Sequence, residues 1–378
     1  MKKRLLAVLL CAVMALSLGA CGDSNTDDTQ KDNGKEVGQP KITKLADYKD
    51  FSAILKGDYE VTDAKIKSYF SNVVYSAGIG VMEVKDRDTV QAGDIVKTDY
   101  TGYLNGKAFS GGSTISADGT SNPAWIDVSN NCGIDTTTGE SSGYFIDGFS
   151  DGLVGAKIGQ KTSSQVTFPA DYDNKELAGQ LTTFEFDVKA IYAEVTPETI
   201  TDAMVAEHFK ESYGVSTVAE FMQIMKKELA YNLIVNNIIE NSTFDIPEDY
   251  LDLRLEEYQN FFTELYCGDV ALETFLAYYY GTTLDAIKVQ WAASLQSQIK
   301  AELVFEALVK DAGLKLDEKE RDEYIASIKA TANSAEGNSF FAKEDNIYKM
   351  IGVGNVEAGK AYLLNQNAVR DYVMENYQ

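Results

Sequence analysis

Three textures of apolar and polar positions follow one another along the chain. From Leu5 to Leu18 nearly every residue is apolar, behind the basic head Lys2-Lys3-Arg4 and ahead of the small pair Gly19-Ala20. Residues 1–20 read as a secretory signal, too short for a comfortable membrane span and followed at once by polar residues. Residues 21–43 consist largely of Asp, Ser, Asn, Thr, Gln, Lys and Gly and cannot bury a core. They predict a disordered tether. Within 44–88 a helical pattern opens at Val61-Thr62-Asp63 and runs through Tyr69, Phe70, Val73 and Val74. It is expected to pack with the C-terminal part of the chain.

From 89 to 193 the period shortens to two. Asp94–Tyr100, Ser163–Phe168 and Thr183–Val188 alternate in the manner of strands, parted by turn pairs such as Asn105-Gly106 and Ile158-Gly159. Phe149–Val154 is the one short stretch there that reads as helix. The expectation is an antiparallel sheet curled around a single helix, with 111–143 as a long, polar, turn-rich loop. From 194 to 378 the period is helical: Leu251, Leu255, Tyr258, Phe262 and Leu265 share one face, and Ile287, Trp291, Leu295, Ile299 and Leu303 share another. Pro247 followed by Glu248 and Asp249 marks a helix start, where Pro lacks only a donor that would be unused. The fold class is therefore α+β, a small curled sheet followed by an all-α domain.

Charge then narrows the function. The net charge is −24, and removing residues 1–20 takes away three basic residues and no acid, leaving about −27. Such a chain does not suit nucleic acid, nor adsorption to anionic lipid through basic patches. His208 is the only histidine. That leaves no His-rich metal site and only one candidate base for Ser-His-Asp or Cys-His catalysis, in a charged helical stretch better read as solvated surface. No cofactor or metal is expected. Cys132 and Cys267 fall in different expected domains; free thiols are the preferred reading, with a disulfide left open.

Several blocks carry resemblances. Leu18-Gly19-Ala20-Cys21 resembles the lipobox of bacterial lipoproteins. That resemblance implies a diacylglyceryl group on Cys21, anchoring the chain at the outer face of the bacterial cytoplasmic membrane. Gly93–Val96, Tyr100–Phe109, Phe145–Gly159, Thr167–Tyr172, Leu177–Gly179 and Phe184–Val188 together resemble FKBP-type peptidyl-prolyl isomerases. The Phe168-Pro169-Ala170-Asp171-Tyr172 and Leu177-Ala178-Gly179 wording is similar to the trigger factor branch. Asn241–Glu248 and the helix after it resemble that family's C-terminal chaperone domain.

The resemblance implies a peptidyl-prolyl cis-trans isomerase and chaperone for exported proteins, whose partners are unfolded or proline-containing polypeptides. It implies a pocket walled by Tyr100, Phe109, Phe145, Ile146, Phe149 and Phe186, with Tyr172 at the rim and the Ile146 N–H donating to a client carbonyl. Phe149 stands where many relatives carry Trp, and Ser110 where many carry Asp. Phe184 and Phe168 are read as core, and Trp125 as one possible wall. A Gly-Phe-Arg-type ribosome-docking loop is missing, which argues against ribosome binding. Tyr258, Phe261, Phe262, Tyr266, Phe275 and Tyr278-Tyr279-Tyr280 form an aromatic run, read as core or as client-holding surface. Two rivals stand beside this reading. One is a holdase whose FKBP module has lost turnover; the other is a solute-binding lipoprotein, which would need two parallel-sheet lobes.

Overall fold

The computed structural model describes residues 37–333 and 339–377. The expected signal over 1–20, Cys21 and most of the expected tether lie outside the described residues. The described chain forms two compact units: 63–208 with 216–222, and 37–62 with 209–215 and 223–377. Strands number β1 (Lys41–Lys44), β2 (Val81–Glu83), β3 (Ile95–Leu104), β4 (Lys107–Ser113) and β5 (Ala124–Asp127). They continue as β6 (Cys132–Ile134), β7 (Ser141–Tyr144), β8 (Lys161–Thr167), β9 (Leu181–Glu194) and β10 (Thr243–Asp245).

The first unit holds an eight-stranded sheet in the order β2-β9-β3-β5-β6-β7, with β4 also on β3 and β8 also on β9. Every named pairing is antiparallel, as expected, and the described strands offer nothing to the parallel-lobed solute-binding reading. Period two does the sorting on β9: Phe184, Phe186 and Val188 turn inward and are buried, while Glu185 and Asp187 turn out. Burying one such side chain is worth about 1.5–3 kcal/mol. With Val96, Ile126, Leu153, Val166 and Ile191 they make the core of this unit.

Three expectations change here. The 111–143 stretch is not a loop throughout, because it carries the end of β4, all of β5 and β6, and most of β7. Its anchor is Asp99, which accepts from Thr114 Oγ1 (2.9 Å) and Ser121 Oγ (2.8 Å) and pairs with Lys189 Nζ (3.3 Å). Burial alone would raise the Asp99 carboxyl, but those donors outweigh it and hold the group below its ordinary value. Second, the helix opening near Val61 runs Asp63–Ser76 and falls in the sheet unit, which also takes in 216–222 from the part of the chain expected to be the C-terminal domain. There Phe70 packs edge-on to Phe221, and a Cβ at Gly80 or Gly139 would strike the Tyr75 ring. Third, the Phe149–Val154 helix shrinks to a single 3₁₀ turn, Asp151–Leu153. Gly152 lies so close to β8 that a Cβ would come within 2.2 Å of the Ser163 carbonyl oxygen.

The second unit is helical, with β1 and β10 as a two-stranded sheet. That pairing starts at Lys41, inside the span expected to be tether: Ile42 faces Phe244, and both pack on the helical core. Helix Glu248–Phe262 starts after Pro247 with Glu248 and Asp249 in its first turn, as the dipole favours. Helix Leu284–Ala312 buries Trp291, Leu295 and Ile299, then shifts to Val304 and Leu308 rather than Leu303. Trp291 packs in one apolar cluster with Phe262 and Leu276, whereas Val304, Phe305 and Leu308 pack in another with Ile234 and Val369, so the helix turns a different side inward along its length. Arg254 is buried with a bidentate pair to Glu302 (2.9 and 3.0 Å) and donates to the Gly352 carbonyl (2.8 Å). Cys132 and Cys267, one in each unit, are free buried thiols.

Candidate functional site

The aromatic residues singled out from sequence come together on the inner face of the sheet. β3 and β9 place Tyr100 opposite Phe186 and Gly102 opposite Phe184. Gly102 has to be glycine, because a Cβ would meet the Phe109 ring at 2.4 Å and Phe184 at 2.7 Å. Phe109, from β4, thereby lies across β3 and packs on Phe184 (ring centroids 5.7 Å) and Phe168 (5.9 Å). Tyr100 sits over Phe149 edge-on at 5.1 Å, with Phe145, Phe184 and Phe186 around it at 6.4, 6.0 and 6.2 Å. Burial raises the Tyr100 hydroxyl above its ordinary pKa, as a dry surrounding demands.

Phe145, Ile146 and Phe149 arrive on one turn. The Phe149 N–H donates to the Ile146 carbonyl (3.1 Å), and Gly148 at i+2 takes φ +81°, the value a type II turn needs and glycine supplies. Asn131 fixes this turn from behind. Its side-chain amide donates to the carbonyls of Phe145 (3.2 Å) and Ile146 (3.0 Å), and its Oδ1 accepts from the Ser150 N–H (3.0 Å). Its own carbonyl accepts from the Phe145 N–H (3.0 Å).

Exposure separates these residues. Phe149 (2%) and Phe186 (1%) are buried, Tyr100, Phe109, Phe145 and Ile146 are half-buried, and Tyr172 is 38% exposed. Tyr172 packs on Phe168 at 4.7 Å, which in turn packs on Phe109 and Phe184. Phe145 stacks on Phe149 at 4.3 Å, so the face of the expected floor is covered by the chain itself. Trp125 is not a wall. It sits on β5 between the inward Ala124 and Ile126, turned to the other face, where it packs on Tyr192 (4.5 Å) and under Lys97. Ser110 is exposed on β4.

Phe184, read as core from the sequence, is buried in the core as expected, and from there it packs on Tyr100, Phe109, Phe149 and Phe168 as the hub of the cluster. Asn131 and Asp99 carried no mark in the sequence that set them apart. A cavity of about 320 Å³ lies elsewhere in this unit, lined by Met82, Val84, Ala193, Val195 and Met204. It contains none of these aromatics. Among the described residues no cluster of three His, Cys, Asp or Glu is placed to hold a metal ion, and no helix is long and apolar enough to cross a membrane.

With the turn, the ring cluster and the antiparallel sheet in view, comparison with known families becomes specific. Residues 86–191 match the family model for FKBP-type peptidyl-prolyl cis-trans isomerase. The chain carries an FKBP-type domain. Residues 206–351 match the bacterial trigger factor protein C-terminus, and so the helical part that follows is of trigger factor type. The trigger factor of Clostridium beijerinckii is 29% identical over 289 residues, covering 73% of this chain and 61% of its own. That of Halothermothrix orenii is 28% identical over 302 residues, covering 77% and 64%. That of Macrococcus caseolyticus is 28% identical over 349 residues, covering 87% and 73%. The chain thus spans about three-fifths of the length of the first two of these relatives. A solved trigger factor chaperone structure aligns over 92% of this chain and 81% of its own at 14% identity, with a TM-score of 0.29, too low to bear on the fold.

Proposed function

We propose that this protein is a peptidyl-prolyl cis-trans isomerase and folding chaperone for exported proteins, held at the outer face of the cytoplasmic membrane by a lipid on Cys21. The observation that carries the enzymatic part is the aromatic cluster around Phe149, with the Asn131-fixed turn bearing Ile146 at its rim. Rotating an X-Pro amide needs no nucleophile, base or metal. The barrier, about 18–20 kcal/mol for an amide, comes from resonance. A twisted amide loses resonance and part of its charge separation, so an apolar ring of side chains favours it over the planar form that water solvates better. Tyr100, Phe109 and Phe186 supply that surrounding once the Phe145 ring moves off Phe149, and the Ile146 N–H orients the carbonyl. FKBP-type family membership of residues 86–191 supports the reading.

The test is a proline-limited refolding reaction with the full chain. Acceleration that falls in a Tyr100→Leu variant of unchanged melting temperature supports the assignment; no acceleration by the wild type rejects it. The stacking of Phe145 on Phe149 favours one second reading, a holdase that grips clients without turning prolines. It would suppress aggregation while leaving proline-limited refolding unaccelerated. For the helical part, Tyr278, Tyr279 and Tyr280 are 80%, 66% and 57% exposed, an uncovered aromatic patch suited to holding unfolded chains. Anchoring is tested separately. Labelling with a radioactive fatty acid and membrane fractionation, compared between wild type and Cys21→Ser, give lost label and release from the membrane if the lipid is on Cys21. Export is expected from the basic head, apolar run and small pair before it.

A further inference from the structure

Tyr75 stands next to the end of helix Asp63–Ser76 and is 5% exposed. Two glycines hold its ring by opposite edges. A Cβ on Gly80 would come within 2.2 Å of Cδ1, and one on Gly139 within 2.6 Å of Cε2 and Cζ. Backbone that close to a ring is a tight contact, which only glycine allows. The Gly80 side is fixed to the sheet, because the Val195 N–H donates to the Gly80 carbonyl (2.9 Å) just before β2 pairs with β9. The ring is thus a rigid stop, and Gly139 rests against it.

Gly139 belongs to the tip of the hairpin that β6 and β7 form. The tip is tied within itself. The Gly139 N–H donates to the Asp135 carbonyl (2.7 Å), and the Asp135 N–H donates to the Glu140 carbonyl (2.9 Å). Asp135 Oδ1 accepts from the Thr137 N–H (2.7 Å). A displacement of Gly139 therefore moves the whole tip. β6 is secured along β5, whereas β7 pairs, among the described strands, with β6 alone. Besides that pairing, β7 has one hold at each end. At the tip it is Tyr75; at the base it is Asn131, which receives the Phe145 N–H and donates to the carbonyls of Phe145 and Ile146.

We infer that Tyr75 is a remote positioning residue for the proposed isomerase site. By holding the hairpin tip at Gly139 it sets the line of β7, and with it the aim of the Phe145-Ile146 turn. The inference rests on the isomerase reading for what the turn does, and on the packing alone for how the turn is held. Close-packed backbone passes a shift along rather than absorbing it, so a tip that slides off the ring carries the far end of β7 with it. A Tyr75 that merely filled the core would stabilise the unit and leave the turn unmoved.

The experiment uses the full chain and a short X-Pro peptide. Tyr75→Leu removes the ring edge that meets Gly139 and is expected to shift the amide resonances of Phe145 and Ile146. It is also expected to lower kcat and kcat/KM together by about 5-fold, the pattern of a donor misaimed in the transition state. Tyr75→Phe keeps the ring and should keep wild-type resonances and rates. Phe70→Leu is the control for stability, since Phe70 lies on the same helix, 1% exposed, and packs on Phe221 instead. It should lower the melting temperature without moving the two resonances or the rates. If Tyr75→Leu does not fold, Gly139→Ala reaches the contact from the hairpin side: at φ +77°, with its Cβ driven at the ring, alanine displaces the tip and should give the same shifts and loss. Unmoved resonances or an unchanged kcat/KM in the folded variant, or equal shifts in Phe70→Leu, overturn the proposal. If the wild type does not turn the peptide over, the isomerase reading fails by itself, and the two resonances alone then decide whether Tyr75 positions the turn.

Discussion

Phe145 lies flat against Phe149, with ring centroids 4.3 Å apart and planes 15° from parallel. A proline ring that is to use the same face has to displace Phe145, and a stacked aromatic pair is worth about 0.5–1.5 kcal/mol. Phe145→Ala removes that competition while leaving Tyr100, Phe184 and Phe186 around Phe149. The expected result is a KM for short X-Pro peptides lowered by about 3- to 10-fold, read from the concentration dependence of isomerisation. An increase in KM would show instead that Phe145 is a wall the client needs.

Asn131 acts on the site through the carbonyls of Phe145 and Ile146. It occupies φ +50°, which Asn tolerates better than most residues, so the replacement that isolates its side chain is Asn131→Gly. That variant is expected to lose about 10-fold in kcat/KM, since a misplaced donor costs orientation. Asn131→Asp keeps the acceptor for the Ser150 N–H but loses both donations to carbonyls. It should resemble the glycine variant, with the Ile146 amide resonance shifted in both.

Acid should loosen the segment held by Asp99. The native carboxyl titrates below its ordinary value, so its stabilisation is fully present above about pH 4 and is lost as pH falls through the lower native value. Asp99→Asn removes the pair with Lys189 and is expected to cost about 1–3 kcal/mol at neutral pH. It should also flatten the acid limb of stability against pH. Thermal unfolding of both proteins at a series of pH values checks the shape as well as the offset.

In the helical unit the sensitive point is Arg254. Replacing it with Met leaves Glu302 without its bidentate partner and the Gly352 carbonyl without its donor. The expected loss is about 3–5 kcal/mol, the usual result of breaking a buried pair from one side. Of the two tryptophans, Trp291 is in this unit, so urea unfolding followed by fluorescence in a Trp125→Phe background reads the effect locally.

Legibility in the sequence followed the strength of periodicity. Phe184, Phe186 and Val188 alternate cleanly, and Trp291, Leu295 and Ile299 recur at helical spacing, so β9 and the long helix were readable from the residues alone. β6 and β7 were not. Cys132-Gly133-Ile134 is three residues long, and Ser141–Tyr144 is exposed on both faces, so neither carries the contrast that marks a half-buried strand. Phe149–Val154 misled because its apolar content looked helical, while Val154 is already extended (ψ 124°) and Gly155 takes φ +84°, which ends the chain's helical path after one turn. The ring cluster was largely predictable because aromatic identity survives in a sequence. Its covering by Phe145, and its support by Asn131, depend on how a turn is aimed, which composition does not record.

The pairing of β1 with β10 joins residues some 200 positions apart, Lys41 with Asp245. The sheet unit is enclosed between them in the chain, and its own widest pairing, Val81 with Glu194, spans little more than half that distance. A chain emerging from its N-terminus can therefore finish the sheet unit while the first strand of the helical unit still waits for its mate. Closing such a distant loop is slow and leaves that strand unpaired meanwhile. A molecule proposed to shelter unfinished proteins thus passes through a long unfinished stage of its own, in which Lys41–Lys44 has nothing to hold.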